Sequence, residues 1–261
     1  MNDIITELTN SILRVEFNRP TKKNAMTAAM YTNMAEILTA ADKDEAVKVV
    51  LWHGAGDSFC AGNDVQDFLK NPPSPNGSPQ GHLTKVFIEF EKPIVAAVHG
   101  SAVGGGTTML THCDFVYASE NAKFQTPFIN LGLVPEFGSS FSLPARAGYL
   151  RVAELFLLGE PFTAAHAAEL GLVTRVVPNQ DLLATATATA GKLAAKPIDT
   201  LRSNKRLIKR SSLGQLREAV AIEAQEFTER VRSAEAKEAF SAFLEKRAPD
   251  FRRPTTNAAA E

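Results

Sequence analysis

A chain of 261 residues, 44% hydrophobic and 22% charged, can bury a substantial core as one large domain or a domain with an appendage. Its net charge of −1 provides no overall field for nucleic acid or an acidic membrane. Its two cysteines, Cys60 and Cys113, suggest no disulfide framework, as in a reducing cytoplasm.

The opening residues MNDIITELTN carry no apolar signal core. In ILRVEFNRP, Leu13, Val15 and Phe17 alternate with Arg14 and Glu16, the period of a half-buried strand, and Asn10-Ser11 before it suits a hairpin turn. Residues 27–41 place Met30, Met34, Ile37, Leu38 and Ala41 on one helical face. VKVVLWHG, PIVAAVHG and DFVYAS then read as short buried strands. Strands interleaved with helices predict an α/β fold of repeated units. Asp64 is placed to cap a short helix after the first of the two H-G turns. NPPSPNGSPQG, residues 71–81, reads as a mobile surface loop.

From about residue 145 the chain reads as helical. Thr163 is a candidate N-cap and Gly171 a C′ glycine, and LVTRVVP is a short strand. Helical spacing follows near 180–195, 197–210, 213–231 and 233–246. The apolar stripe Val220, Ala224, Phe227, Phe240 and Phe243 needs a cover, either the core or another subunit. TTNAAAE reads as a frayed tail and is not a peroxisomal signal. No apolar run reaches the roughly 20 residues that span a bilayer. These readings predict a cytoplasmic protein with no membrane or nucleic-acid partner.

Two glycine-bearing loops stand out. GAGDSFCAGNDVQDFL follows one strand, and HGSAVGGGTTML follows another. Three glycines at 104–106 sit where a helix begins, and there exposed N–H groups and the positive dipole end stabilise an anion. Close helix-to-strand packing is the alternative use of such a triplet. Neither loop has the P-loop or the dinucleotide pattern.

Together, NRPTKKNAM, FCAGNDVQDF, KPIVAAVHGSAVGGG, CDFVYASENAKFQTPFINLGLVPE and FLEKRAPDF resemble the crotonase, or enoyl-CoA hydratase/isomerase, superfamily over roughly residues 5–251. The resemblance implies a spiral of ββα units over residues 1–200, with a C-terminal helical trimerisation region at 201–261. It also implies an acyl-CoA thioester substrate and a homotrimer or dimer of trimers. Two backbone N–H groups would polarise the thioester carbonyl, at Asn63 and Gly105 by motif position. One such donor is worth about 2.7–4 kcal/mol.

Hydratases of the family usually carry two glutamates, at positions that read Thr108 and Phe128 here. Neither side chain can replace a carboxylate base at neutral pH. The turn NLGLVPEFGSSFSLP supplies a different acid, Glu136. It resembles the Δ3,Δ2-enoyl-CoA isomerase branch, whose single glutamate sits at this turn. Flanked by Leu133, Val134 and Phe137, that acid would resist ionisation through desolvation. A solvated loop carboxylate is the competing reading.

The expectation is therefore a 3-enoyl-CoA isomerase; the alternatives are a hydratase and a non-catalytic acyl-CoA-binding protein. No metal or redox cofactor is implied, since CoA is part of the substrate. The resemblance adds Lys22 and Lys23 as phosphate contacts, Ala61 as an adenine contact, and Phe243 and Lys246 as a C-terminal pair reaching CoA. Each also fits an ordinary surface or helix role. The five histidines have no metal-ligand spacing. His53 and His99 fit loop capping, and Cys60 and Thr108 fit packing.

Overall fold

The computed structural model describes residues 2–73 and 77–252. The tail at 255–261 and the 74–76 portion of the proposed loop lie outside the described residues. Strands β1 (Ile4–Thr9) and β2 (Ile12–Phe17) pair antiparallel. Asn10 and Ser11 turn the hairpin, both left-handed at φ of 52° and 62°, the geometry that matches the twist of the flanking strands. Helix α1 (Ala28–Lys43) begins after Thr27, whose side chain accepts the Met30 N–H, and it buries Met30, Tyr31, Met34, Ala35, Leu38 and Ala41.

Strand β3 (Val49–Gly54) leads to helix α2 (Val65–Lys70). Helix α2 is capped by Asp64, which accepts from Gln66 and Asp67. Helix α3 (Pro79–Glu89) takes up residues assigned to the loop from sequence. Ser78 accepts the Gly81 N–H and Pro79 occupies the first turn, where a missing N–H has no cost. The Ser-Pro pair is a helix start, so the loop ends at 78 rather than 81.

Strands β4 (Ile94–Val98) and β5 (Ser101–Val103) precede the short helix α4 (Gly105–Thr108). Strands β6 (Phe115–Ser119) and β7 (Lys123–Gln125) follow. Helices α5 (Ser139–Ala147) and α6 (Tyr149–Leu158) come next, so the helical part starts at Ser139, six residues before the sequence expectation. Then come β8 (Phe162–Thr163), α7 (Ala164–Glu169) and β9 (Arg175–Val177). Thr163 caps α7 through the His166 N–H, and Gly171 follows at φ 71°. Four helices complete the described chain: α8 (Leu182–Ala194), α9 (Ile198–Lys209), α10 (Leu213–Arg230) and α11 (Ala234–Glu245).

The larger sheet has the order β1-β2-β3-β4-β6-β9 and is parallel from β2 onward; the smaller has the order β5-β7-β8. The chain alternates between the two sheets as it winds, which is the spiral implied by the resemblance. Alternation along β3 and β4 serves two cores at once. Val50, Trp52, Ile94, Ala96 and Val98 face the main core with α1 and α3. Val49, Leu51, Val95 and Ala97 face α8 through Leu182, Ala186 and Ala190. Covered on both faces, such strands are continuously apolar. A third cluster joins Phe68, Phe128 and Leu133 to Phe227, Ala236 and Phe240 of the last two helices. The C-terminal stripe is thus covered in part by its own chain, while Phe243 stays exposed.

Helix α9 is tied to the sheet by a buried cation. Lys205 Nζ donates to Asp114 Oδ2 at 2.7 Å and to the Lys92 carbonyl at 2.8 Å, while Asp114 also accepts the Ile94 N–H at 2.8 Å. Asp114→Ala leaves the buried Lys205 without its counter-ion; because Asp114 itself is exposed, the cost should be about 1–3 kcal/mol, read as a lower urea midpoint.

Candidate active site

The two glycine loops are stitched side by side. Cys60 N–H donates to the Ser101 carbonyl at 3.0 Å, and Val103 N–H to the Cys60 carbonyl at 2.9 Å. The approach is close enough that a Cβ on Gly106 would lie 2.6 Å from the Cys60 carbonyl oxygen. On the other side, Met26 N–H donates to the Gly62 carbonyl and Asp64 N–H to the Met26 carbonyl. This parallel pairing of Met26 with Asn63 uses the flanking groups at 62 and 64, so the Asn63 N–H is left on the opposite edge. Gly104, at φ 54°, turns the chain into α4. Gly105 opens that helix, where N–H groups have no intrahelical acceptor. Asn63 and Gly105 line one cavity of about 390 Å³. Two main-chain donors at one cavity wall are what an oxyanion needs.

Glu136 lines the same cavity. A Cβ built on Gly105 would lie 2.9 Å from Glu136 Oε1, so the carboxyl rests against the glycine that supplies one of the donors. The residue is half-buried, but Oε1 itself is sealed and meets no hydrogen-bond partner among the described residues. Burial, and then the charge of Glu223, push the Glu136 carboxyl up to about 8. The solvated-loop reading does not fit this placement.

Because its folded pKa is raised, Glu136 contributes most to stability below its unfolded value near 4.5. That contribution is lost as pH rises through about 8. Glu136→Gln should therefore remove part of the melting-temperature loss between pH 5 and about 9 and melt a few degrees higher than wild type at the alkaline end. Thermal scans across that window check this.

The turn that presents Glu136 is strained and braced. Phe137 and Gly138 are both left-handed, at φ of 61° and 68°. Ser139 donates to the Glu136 carbonyl through its hydroxyl at 2.6 Å. Buried His112, whose pKa burial lowers to about 3, donates its Nε2 proton to the Phe137 carbonyl at 2.7 Å. The carbonyl only accepts, which sets the tautomer. Glu223 accepts the Gly138 N–H at 2.6 Å and the Ser140 N–H at 2.8 Å.

Tyr31 is fully buried, and its hydroxyl donates to Asn63 Oδ1 at 2.7 Å. Burial raises its pKa well above the usual phenol value, with Glu136 and Cys60 adding to the rise. Burial pushes the Cys60 thiol up to about 12, a neutral group suited to packing.

Of the remaining sequence candidates, Ala61 and Phe243 line the cavity. Lys23 joins Ala61 through its carbonyl, which accepts the Ala61 N–H at 2.9 Å. Lys22 and Lys23 are exposed and are not lining residues, and Lys246 is the left-handed cap of α11. Arg247, one residue on, does line the cavity while paired with Glu238 and Glu245. Phe128 forms part of the apolar wall with Phe68, Leu133, Phe227 and Phe240. Thr108 is buried and bonds the Gly104 carbonyl. His99 ties the first loop through the Gly56 carbonyl at 3.0 Å, whereas His53 lies within β3 near Glu16. Among the described residues no His, Cys, Asp and Glu group of three or more could hold a metal ion, and no helix is long and apolar enough to cross a membrane.

Sequence reasoning missed Tyr31, Glu223 and Arg247. Glu223 had a signal, since it shares the inward face of α10 with Leu216 and Phe227. A carboxylate on an apolar stripe calls for a partner. Nothing near Tyr31 marked it apart from Met30 and Met34.

The enoyl-CoA hydratase/isomerase family model matches residues 7–254. The chain is 33% identical over 258 residues to 1,2-epoxyphenylacetyl-CoA isomerase of Escherichia coli K12, covering 96% of this chain and 98% of that protein. It is 37% identical over 220 residues to enoyl-CoA delta isomerase 2 of Rattus norvegicus, covering 82% of this chain and 56% of that longer protein. A crystal structure of an enoyl-CoA hydratase/isomerase from Pseudoalteromonas atlantica T6c superposes with a TM-score of 0.90 at 38% identity, covering 96% of this chain and 100% of the other. Both hydratases and isomerases occur among the relatives.

A spiral of two sheets, roofed by C-terminal helices over a cavity with main-chain donors, is the crotonase fold of an enzyme. The chain belongs to the enoyl-CoA hydratase/isomerase family.

Proposed function

We propose that the protein is an acyl-CoA isomerase that moves a 3-enoyl-CoA double bond to the 2-position. The observation that carries this reading is the carboxyl of Glu136 against Gly105, with Thr108 and Phe128 standing where the family resemblance implies the two hydratase acids. Migration requires removing a proton from C2 and delivering one to C4. Glu136 takes the C2 proton as a carboxylate, and electron density moves onto the thioester oxygen. The Asn63 and Gly105 N–H groups hold the resulting dienolate, and Glu136 returns the proton at C4. The raised pKa matches this task, because an acid near neutral both accepts and releases a proton. Neither transfer needs a metal or redox group, and CoA enters as part of the substrate.

The walls formed by Phe68, Phe128, Leu133, Phe227 and Phe240 suit an uncharged acyl chain. Ala61, Lys22, Lys23, Phe243 and Lys246 are the proposed CoA contacts, and Arg247 joins them as a cavity-lining cation. Assembly as a trimer or a dimer of trimers belongs to the same proposal. Exposed Tyr149, Leu150, Leu157 and Leu158 on α6 support self-association.

The test is parallel incubation with 3-enoyl-CoA and 2-enoyl-CoA, followed by mass and ultraviolet absorbance. Isomerisation conserves mass and brings the double bond into conjugation. Hydration of 2-enoyl-CoA without migration would assign the protein to the hydratases; binding without any turnover would leave a non-catalytic acyl-CoA carrier.

A further inference from the structure

We infer that Glu223, from the C-terminal helix α10, is a positioning residue that clamps the turn carrying Glu136. The inference rests on Glu136 being the proton carrier.

The geometry begins with the backbone. Phe137 is a bulky residue at φ 61°, next to Gly138 at φ 68°. Phe137 occupies a region that side chains rarely adopt, and it stays there only when the surroundings over-determine it. Phe137 packs against Tyr31, Phe87 and His112, with ring centroids 6.5, 6.2 and 6.1 Å away. Those contacts hold the ring. The backbone is held by Glu223, whose two oxygens take the Gly138 and Ser140 N–H groups at 2.6 and 2.8 Å.

These donors belong to the start of α5, which has no side-chain cap of its own. A carboxylate arriving 85 positions later in the chain therefore does the work of an N-cap, favoured also by the helix dipole. Glu223 itself is only 7% exposed, so the bonds from Gly138 and Ser140 are what compensate its burial. Gly138 lies tight against the same helix: a Cβ there would fall 2.4 Å from Leu216 Cδ1 and 3.0 Å from Val220 Cγ2. Helix α10 thus fixes where the turn sits, and the turn fixes where the Glu136 carboxyl sits.

The charge of Glu223 acts on Glu136 as well. The titratable groups that interact electrostatically with Glu136 are Tyr31 from α1, Cys60 from the first loop and Glu223 from α10. Tyr31 and Cys60 are held neutral by burial. Burial raises the Glu223 pKa above the usual carboxylate value, and the bonds from Ser140 and Gly138 offset part of that rise. Its charge opposes ionisation of Glu136 and strengthens that residue as a base. The same helix contributes Phe227 to the cavity wall, so one element shapes the acyl site and aims the base.

Glu223→Ala and Glu223→Gln, compared with wild type and with Glu136→Gln, test the inference. Loss of the clamp displaces the base, so kcat for Glu223→Ala should fall roughly 10²-fold with little change in KM. In Glu223→Gln the charge is gone and Glu136 ionises more easily. The acidic limb of the kcat profile should therefore move to lower pH. A purely structural residue would lower the melting temperature and leave that limb in place. If the alanine variant misfolds, the glutamine variant carries the test, since it preserves side-chain volume and one acceptor oxygen. Wild-type kcat with an unshifted limb in Glu223→Gln, beside an inactive Glu136→Gln, overturns the clamp alone. An active Glu136→Gln overturns the base reading beneath it.

Discussion

Glu136→Gln should lower kcat for 3-enoyl-CoA isomerisation by roughly 10²–10⁴-fold and leave the affinity for an unreactive acyl-CoA nearly unchanged. The amide keeps the size of the carboxyl, so the cavity and its apolar lining are preserved. It cannot take a proton from C2. Among the described residues no other carboxylate lines the cavity, and Glu223 is occupied with the Gly138 and Ser140 N–H groups. Stopped-flow absorbance on 3-enoyl-CoA and calorimetric titration with a saturated acyl-CoA separate the two quantities. Turnover at the wild-type rate would remove Glu136 from the chemistry. Loss of binding together with turnover would make it a structural residue.

A single methyl at the oxyanion wall should be nearly as damaging. In Gly105→Ala the new Cβ would lie 2.9 Å from Glu136 Oε1, 3.0 Å from the Tyr31 hydroxyl and 3.1 Å from Met26 Cε. All three are side-chain ends, so the fold can yield locally. Gly105 is not among the left-handed residues, and alanine suits a helix start conformationally. What yields is the catalytic geometry. The base and the donor are pushed apart, and a misplacement of about 1 Å costs roughly 10²-fold in rate. The expected result is a folded protein, by circular dichroism, with kcat lowered by that factor. An active variant would mean that the carboxyl has freedom to reposition without cost.

Much of the fold was legible because its signals are local. Val50 and Trp52 alternate with Val49 and Leu51, and both sets are apolar because each face of β3 has its own core. Asp64 and Thr163 cap the helices they were expected to cap, since an N-cap needs only the next three residues. Ser78-Pro79 was misread because the Pro-, Gly- and Ser-rich run around it outweighed one capping pair. The start of α5 was missed for a different reason: its cap comes from another helix.

By itself the amino-acid sequence determined the layered α/β architecture, the two glycine loops, the absence of carboxylates at 108 and 128, and the presence of an acid at 136. Each of these depends on residue identity or on spacing within a few positions. Only the tertiary structure decided that Glu136 faces the Gly105 wall, that Tyr31 holds Asn63, and that Glu223 grips the turn. These relations join residues from 31 to 85 positions apart. Spacing along a chain carries no information about which distant side chains meet.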